Sequence, residues 1–568
     1  MKKLCSLILV VSLLLSVCAG ALAEDKKVID HSAYSQFPLV EEGEEMTITV
    51  AHIRDAVYGV DVEDMWFWAW AEYATGIDFE VTQIPSNSRG DLLPLMFAGD
   101  NVPDLLLGLD LTTSEITRYG VGEGQLKDLS AWITSERMPY LTRWFAAYPE
   151  SKVLCTTSDG AIYTLPGYHT IKSETGVAGR TAQLKASWLD ANDLEVPKTL
   201  DELVNTLYAF KAANPDHTPI AARATEGESV MTIIINAFGF LGNHNDYGHN
   251  VSIKDGKAIL AAGHPDFKAY LELAKQLYVD GILMKDYFSA DDLAVQVLVQ
   301  EDKAFMAGQV YHIIPEVERF QQWIPISPVT SEYCEEPVWL RSNPYKIGDA
   351  LAGAKITDEK LDVLLRFLDF FYSDLGSRYT WSGPLAGSDD TLGIISGWKI
   401  NPETGNREFL DVVDGKYSSG TEYVKGVVGA NCHHFGNRSH SLDYPDVLTN
   451  SAEIQQYLEY HEISQVVPEK WSETSGDGWH RIHAYANIGT YAITGFPAIT
   501  YYTEEQQNEI DEIRMIMEAH IETNVAKFIT GARDLAEFDQ FVKELEGLGL
   551  RDLEAIYQEA YDAYLAVK

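Results

Sequence analysis

The chain has 568 residues and carries 43 lysines and arginines against 85 aspartates and glutamates, a formal net charge of −42. This acidic excess argues against a nucleic-acid-binding protein, which needs a positive face for phosphates, and against adsorption to anionic membranes. A hydrophobic fraction of 46% with 23% charged residues is typical of a globular protein. The length suffices for about two to four domains or lobes.

The first residues have the composition of a secretory signal peptide. Lys2 and Lys3 precede an apolar stretch over 4–17 that is too short to span a membrane, and residues 21–23 read Ala-Leu-Ala, a small-x-small cleavage site. We therefore predict cleavage after this site, which leaves a flexible lead over 24–44.

The predicted destination is the outside of the cell or the outer face of its membrane. Residues 15–18 read Leu-Ser-Val-Cys, which resembles a bacterial lipobox, so a lipid anchor at Cys18 is the alternative. Of the later cysteines, Cys155, Cys334 and Cys432, none forms a C-x-x-C motif. We expect them to be free thiols, although export would permit a disulfide bond.

Strands and helices alternate over the first part of the mature chain. Period-two alternation or short apolar runs predict strands over 46–50, 77–81 and 103–107, and helical patterns with glycine stops predict helices over 62–73 and 90–98. Such a β-α-β-α-β order implies a parallel sheet, and ligands bind at the carboxyl ends of parallel strands. The loops predicted to carry ligand contacts are 53–61, 85–90 and 108–112.

Helices dominate the rest of the prediction. They are expected over 188–213 (after a short turn), 267–278 and 358–372, the last with Gly376 as its stop. A capping box at Thr503 and Gln506 opens a helical region with three apolar stripes that reaches the end of the chain. The three tryptophans Trp66, Trp68 and Trp70 lie in the first predicted helix and are assigned to packing.

Several stretches, in this order and spacing, resemble the family 1 extracellular solute-binding proteins of bacterial ABC importers, specifically the large LipO-type branch. They include the motif Ala-Gly-Asp-Asn-Val-Pro-Asp that ends at residue 104, the motif Asp-Gly-Ala-Ile-Tyr that ends at residue 163, and Glu-Asp-Lys-Ala-Phe-Met-Ala-Gly that ends at residue 308. The resemblance covers nearly the whole mature chain, through 72–81, 93–104, 159–167, 188–203, 210–216, 301–308, 361–376, 527–531 and 557–562.

The resemblance implies an α/β fold of the two-lobe, periplasmic-binding-protein-like (type II) kind, with a hinge between lobes and extra C-terminal helices. The N-terminal lobe is expected over 45–160 and about 305–355, and the C-terminal lobe over 161–304 and about 356–568. The implied function is capture of an oligosaccharide between the lobes and its delivery to an ABC transporter permease. The chain is expected to be a monomer that needs no cofactor.

Many relatives of this kind carry a calcium loop after the helix that ends near residue 213. Here residues 214–222 hold one carboxylate and no glycine, whereas a calcium loop needs several oxygen ligands and a glycine. We therefore predict no metal there. The histidines His433, His434 and His440, and the pair His480 and His483, are interpreted as surface or hydrogen-bonded residues and not as a metal site.

The aromatic content favours a saccharide ligand, since sugar rings stack on flat side chains while their hydroxyls bind polar groups. The chain has 30 tyrosines, 21 phenylalanines and 12 tryptophans. No catalytic motif stands out. A secreted carbohydrate-active enzyme, or a binding protein for a peptide or other polar solute, remains the alternative. The candidate ligand contacts lie in predicted loops: Tyr58, Asp110, Tyr168, His169, Tyr311, Trp339, Arg341 and Trp381.

Overall fold

A computed structural model describes residues 37–567, except 56–60, 170–180, 225–229, 242–247, 309, 342, 430–434, 438–450, 464–469 and 498, and except the side chains at 381, 421, 437 and 567. The predicted signal peptide, Cys18, Tyr58, Cys432 and the histidines His433, His434 and His440 therefore lie outside the described residues. Within the described part of the chain, no helix has the length and apolar character needed to cross a membrane.

The strands are short and are numbered here in chain order. They are β1 (Thr47–Arg54), β2 (Asp78–Pro85), β3 (Leu105–Leu107), β4 (Gly167–Tyr168), β5 (Ala182–Lys185), β6 (Ile220–Ala221), β7 (Val251–Lys254), β8 (Lys257–Leu260), β9 (Met306–Gly308), β10 (Trp323–Pro325), β11 (Trp339–Leu340), β12 (Tyr345–Lys346), β13 (Ala350–Ala352), β14 (Trp398–Ile400), β15 (Arg407–Phe409), β16 (Gly436–Asn437) and β17 (Ala492–Ile493).

The α-helices cover much more of the chain. They are Trp66–Thr75, Arg89–Ala98, Thr113–Ile116, Pro139–Ala147, Pro149–Cys155, Ala186–Ala191, Leu200–Ala213, Thr232–Asn236, Phe267–Val279, Asp292–Gln300, Val310–Ile313, Val317–Phe320, Asp358–Phe370, Gly376–Ser382, Leu410–Val413, Gly420–Tyr423, Ala452–Tyr460, Gly476–Ile488, Glu504–Thr530, Phe538–Gly547 and Leu550–Val567.

Two separate hydrophobic cores divide the described residues into two lobes. Lobe 1 is built from 37–168 and 345–463 together with Ile499, and lobe 2 from 182–339 and from the rest of 484–561. Each core surrounds a four-stranded sheet, with strand order β13-β3-β1-β2 in lobe 1 and β10-β5-β9-β6 in lobe 2. The predicted α/β fold with two lobes is therefore present.

The lobe boundaries differ from the predicted ones. Strand β9 pairs with β5 and β6, so the stretch after residue 305 belongs to lobe 2. The helix Asp358–Phe370 packs in the core of lobe 1, which extends to residue 463. Strand β9 is short and fully buried, so it carries no alternation that would indicate which sheet it joins.

The β-α-β-α-β unit predicted from the sequence forms most of the lobe 1 sheet. Strand β1 pairs in parallel with both β2 and β3. The helix Trp66–Thr75 follows a 3₁₀ turn at Val62–Asp64 and ends at Gly76, whose φ of 75° lies in the left-handed region that glycine adopts without strain. The glycine stop of this helix is confirmed.

The three tryptophans of this helix are buried, as predicted. Trp66 and Trp70 stack with ring centroids 5.7 Å apart, and the indole nitrogen of Trp68 donates a hydrogen bond to Nδ1 of His52 over 3.2 Å. Burial and the neighbouring Arg54 lower the pKa of His52 to about 3. The imidazole is therefore neutral at physiological pH, as an acceptor of the Trp68 hydrogen bond must be.

Gly376 does not terminate the helix before it. That helix ends at Phe370, and Gly376 is the first residue of the next helix, Gly376–Ser382. A Cβ atom at this position would lie 2.0 Å from the carbonyl oxygen of Phe370. Close backbone approach therefore explains the glycine.

The three C-terminal helices are confirmed and complete the core of lobe 2. The capping box at Thr503 and Gln506 is formed in both directions at the start of Glu504–Thr530. Buried residues from this helix and from the two that follow it belong to the same core as the lobe 2 sheet. The C-terminal region is thus part of lobe 2 and not a separate domain.

Candidate functional site

Two of the stretches that lead from one core to the other meet at the edge of lobe 1. They run from Tyr168 to Ala182 and from Trp339 to Tyr345. Strand β4, before the first passage, pairs with β12, after the second, and the amide of His169 donates to the carbonyl of Pro344 over 2.7 Å. Adjacent crossing strands are the element about which two lobes can rotate.

Both central sheets present one edge to these crossings. The second passage leads into lobe 1 at β13, where Ala350 lies opposite Leu107, the carboxyl end of β3. The first passage leads into lobe 2 at Ala182, which lies opposite Gly308, the carboxyl end of β9. The carboxyl ends of β3 and β9 therefore lie at the side of each sheet where the chain crosses to the other lobe, and α/β sheets bind ligands at such strand ends. The region between the lobes at these strand ends is called the cleft below.

On the lobe 1 side, the loop after β3 carries an exposed carboxylate. This segment, residues 108–112, is called the Asp110 loop below. Asp110 has a φ of 51°, in the left-handed region, and its side chain is exposed. Its amide donates to Oδ1 of Asp349 over 3.0 Å, and its carbonyl accepts from Nη2 of Arg89 over 3.2 Å. The backbone of the loop is thus held while the carboxylate faces solvent.

The helix that follows this loop reaches the other lobe. Thr112 and Glu115 form a capping box at the start of Thr113–Ile116. The next residue after Thr113, Ser114, donates its hydroxyl hydrogen to the carboxylate of Asp511 in lobe 2 over 3.1 Å. This contact places the Asp110 loop beside the junction of the lobes.

On the lobe 2 side, the turn after β9 is fixed by a buried amide. The side-chain oxygen of Gln183 accepts a hydrogen bond from the amide of Val310 over 2.8 Å. The next residue, Tyr311, stacks on His480 of the helix Gly476–Ile488, with ring centroids 4.3 Å apart and planes within 16°. His480 is buried and Tyr311 is half-buried. An aromatic pair therefore lies directly behind the cleft-facing edge of lobe 2.

Of the predicted ligand contacts, Asp110, His169 and Arg341 lie along the cleft and the lobe crossings. The amide of Arg341 donates to the carbonyl of Ile493 over 2.8 Å, and its side chain is exposed. His169 is half-buried. These three residues and Tyr311 are the predicted contacts whose side chains the structure places near the crossings with surface still accessible.

Two predicted contacts are packed in the cores. Tyr168 is fully buried, with its ring 4.7 Å from that of Trp144 and its hydroxyl 2.7 Å from Oγ of Ser151. Trp339 is 6% exposed and belongs to the core of lobe 2. Trp381 lies in the helix Gly376–Ser382 and not in a loop. A ligand contact by Tyr168 or Trp339 would require these side chains to leave their packing.

Arg89, Asp349 and His480 are not among the ligand contacts predicted from the sequence. Arg89 lies in the predicted ligand loop 85–90, so the position of that loop at the end of β2 was a usable signal. Asp349 is 239 residues from Asp110 along the chain, and no sequence pattern connects the two. His480 is interpreted from the sequence as a surface or hydrogen-bonded histidine, and its stacking on Tyr311 depends on helix packing.

The described residues give no indication of a metal centre. Among them, no group of three or more histidine, cysteine, aspartate or glutamate side chains is arranged to hold an ion. In the segment where relatives were expected to carry calcium, the ammonium group of Lys211 donates to the carbonyl of His217 over 2.8 Å. Cys155 is buried and Cys334 half-buried, both as free thiols.

Comparison with known proteins gives relatives of one kind. No family model matches the chain. The chain is 24% identical over 464 residues to the fructooligosaccharide ABC transporter substrate-binding protein FusA of Streptococcus pneumoniae, a match over 76% of this chain and 75% of FusA. It is also 24% identical over 236 residues to lipoprotein LipO of Bacillus subtilis, which covers 39% of this chain and 41% of LipO.

Solved structures match over both lobes. FusA of S. pneumoniae in complex with kestose aligns with a TM-score of 0.69 at 20% identity, over 92% of this chain and all of FusA. An HMO-binding solute-binding protein of Bifidobacterium longum infantis aligns with a TM-score of 0.70 at 17% identity, over 92% of this chain and 99% of its own. The predicted two-lobe fold and the predicted resemblance to ABC-importer solute-binding proteins are confirmed.

Proposed function

We propose that this protein captures an oligosaccharide between its two lobes, on the outside of the cell, and delivers it to the permease of an ABC transporter. The observation that carries the proposal is the position of the strand ends in the two lobes. The carboxyl ends of β3 in lobe 1 and β9 in lobe 2 both lie where the chain crosses between the lobes. Lobe closure around a ligand at such a position needs no covalent chemistry.

The chemical class of the ligand is inferred from the side chains along the cleft and from the relatives. The exposed carboxylate of Asp110 can accept hydrogen bonds from sugar hydroxyls, and His169 and Arg341 can supply donors. FusA is named for fructooligosaccharides, and its solved structure holds kestose. Stacking contacts by Tyr58, Tyr311 and Trp381 stay predictions, while the buried side chains of Tyr168 and Trp339 are no longer expected to stack on a ligand.

A binding role is preferred over an enzymatic one. The relatives are binding proteins, and the cleft-lining groups named above fit recognition by hydrogen bonds and stacking. We expect the purified chain to bind saccharides without hydrolysing them. Catalytic turnover that a single carboxylate substitution abolishes would instead support the alternative, a secreted carbohydrate-active enzyme.

The proposal includes export, with cleavage after residue 23 as the expected route and a lipid on Cys18 as the alternative. Mass spectrometry of the N-terminus of protein from its native host separates the two. We expect the protein to act as a monomer. Light scattering on the ligand-free and ligand-bound chain would measure its oligomeric state.

A thermal-shift screen of the mature chain against a panel of neutral oligosaccharides tests the ligand class. A ligand that binds the folded state raises the melting temperature in proportion to the logarithm of its concentration. We expect at least one glycan to do so, with calorimetry then giving a 1:1 complex and chromatography showing the glycan intact. A panel in which peptides stabilise the chain and glycans do not would contradict the proposal.

A further inference from the structure

We infer that Arg89 and Asp349 are positioning residues for ligand binding: they hold the Asp110 loop in the conformation that presents the Asp110 carboxylate to the cleft. This inference rests on the proposed function and names side chains that act without touching the ligand. It follows from the hydrogen bonds around Asp110, whose backbone adopts the left-handed conformation.

The conformation of Asp110 needs outside support. A residue other than glycine rarely adopts a φ of 51°, although aspartate and asparagine tolerate the left-handed region better than most. The two backbone groups of Asp110 are both used, one by Asp349 and one by Arg89, over 3.0 and 3.2 Å. Loss of either partner would free the loop to populate other conformations.

The guanidinium group of Arg89 is engaged almost entirely by the loop and its helix. Nε donates to the carbonyl of Leu109 over 2.8 Å, while Nη1 and Nη2 donate to the two carboxylate oxygens of Glu115 over 2.8 and 2.6 Å. Glu115 in turn accepts from the amide of Thr112 over 2.9 Å. A bidentate pair of this kind fixes orientation as well as distance. Arg89 therefore acts on the ligand through the loop.

The opposite side of the loop rests on the backbone around Asp349. The amide of Gly108 donates to the carbonyl of Asp349 over 2.7 Å, and the amide of Leu111 donates to the carbonyl of Gly348 over 2.9 Å. Gly348 has a φ of 84°, and a Cβ atom there would lie 2.0 Å from the carbonyl oxygen of Leu111. The loop is thus held on one side by Arg89 and on the other by the backbone around Asp349, two positions that are distant in sequence. The exposed carboxylate of Asp110 is therefore ordered before a ligand binds. Such pre-organisation raises affinity because less conformational entropy is lost on binding.

The test compares Arg89→Gln with a matched control, Arg137→Gln. Arg137 is also a half-buried lobe 1 arginine that pairs with a carboxylate, Asp362, and donates to a carbonyl, that of Trp132. Hydrogen exchange of the amides at 108, 110 and 111 should become at least about tenfold faster in Arg89→Gln and stay unchanged in the control, because local opening replaces the native hydrogen bonds. Asp349→Asn, which keeps an acceptor oxygen, should protect these amides better than Asp349→Ala.

Calorimetry with the glycan found in the screen gives the second readout. Arg89→Gln should weaken binding roughly tenfold. In an Asp110→Asn background the same substitution should weaken binding no further, because the carboxylate that Arg89 helps to present is already absent. Unchanged amide exchange would overturn the inference, and so would additive losses of affinity, which would mean that Arg89 contacts the ligand itself. If the parent chain binds no glycan, the proposed function fails, while the exchange result still decides whether these residues hold the loop.

Discussion

Ser114 of lobe 1 and Asp511 of lobe 2 form a hydrogen bond across the junction of the lobes, with 3.1 Å between the hydroxyl and carboxylate oxygens. Asp511 also accepts from the side-chain amide of Gln507, one turn earlier on the same helix, over 2.8 Å. The carboxylate is thus oriented toward Ser114 by its own helix. The contact lies two residues beyond the Asp110 loop, so it joins the proposed ligand site to the relative position of the lobes.

Removal of this contact should favour the open arrangement of the lobes. An exposed hydrogen bond of this type contributes about 0.5–1 kcal/mol, so Ser114→Ala should weaken glycan binding about two- to fivefold. Small-angle scattering of the ligand-free variant should give a larger radius of gyration than the parent. Ser418→Ala is the matched control, because Ser418 donates to Glu422 within lobe 1. Equal affinities for Ser114→Ala and the parent would show that the contact does not contribute to closure.

Local sequence patterns predict several elements of the fold correctly. The alternation in β1, the glycine stop at Gly76 and the capping box at Thr503 each depend on residues close in sequence, and all three are present. The pairing of β9 with lobe 2 could not be predicted in this way, because three buried residues carry no period. The hydrogen bond to the amide of Asp110 depends on Asp349, whose position relative to Asp110 is set by the order of the strands in the sheet and not by spacing along the chain.

The stability of the fold should not depend on a metal at residues 214–222, the segment where relatives were expected to carry a calcium loop. Since the ammonium group of Lys211 already binds the carbonyl of His217, a chelator should leave the melting temperature unchanged. Lys211→Met should lower it by about 2 °C, the effect of losing roughly 1 kcal/mol in a lobe of this size. The control is Lys285→Met, which removes an exposed charge from the same lobe. A fall on chelation that calcium reverses would contradict the prediction.

Three buried carboxyls should each contribute less to stability as the pH rises from about 4 to about 7, whereas the lowered pKa of His52 acts in the opposite direction. Burial raises the pKa of Asp390 to about 7, and burial likewise raises those of Asp369 and Glu453 to about 7. Between the unfolded value near 4 and the folded value, the folded chain holds protons that the unfolded chain has lost. Each such group then lowers the free energy of unfolding by at most about 1.4 kcal/mol per pH unit.

Melting temperatures of Asp390→Asn measured from pH 4.5 to pH 7.5 would isolate one of these groups. Relative to the parent, the variant should gain melting temperature as the pH rises, because it lacks the carboxyl that must lose its proton. Asp411→Asn is the control with the opposite sign: although burial opposes it, hydrogen bonds from Lys416 and Ser396 lower the pKa of Asp411. That variant should therefore lose most stability at neutral pH. Parallel profiles for Asp390→Asn and the parent would show that Asp390 does not retain its proton.

The last prediction concerns the two tryptophans proposed from the sequence to stack on sugar rings, Trp339 and Trp381. Trp339 is 6% exposed in the core of lobe 2, as is the fully buried Trp323 of the central sheet. Truncation of a buried tryptophan to alanine costs about 3–5 kcal/mol, so Trp339→Ala should lower the melting temperature by roughly 10 °C, as should the control Trp323→Ala. Trp339→Phe should retain most of the stability. At temperatures where Trp339→Ala is fully folded, we expect its glycan affinity to match that of the parent.

Trp381→Ala should behave in the opposite way if this residue stacks on the ligand. A desolvated stacking aromatic contributes about 2 kcal/mol, which corresponds to a roughly thirtyfold loss of affinity with the melting temperature unchanged. Two measurements on the alanine variants separate the roles. Loss of a packing residue lowers the melting temperature, and loss of a ligand contact lowers the affinity measured by calorimetry. A folded Trp339→Ala that binds thirtyfold more weakly would mean that this side chain leaves the core to meet the ligand. A Trp381→Ala that unfolds would instead assign that residue to the packing of lobe 1.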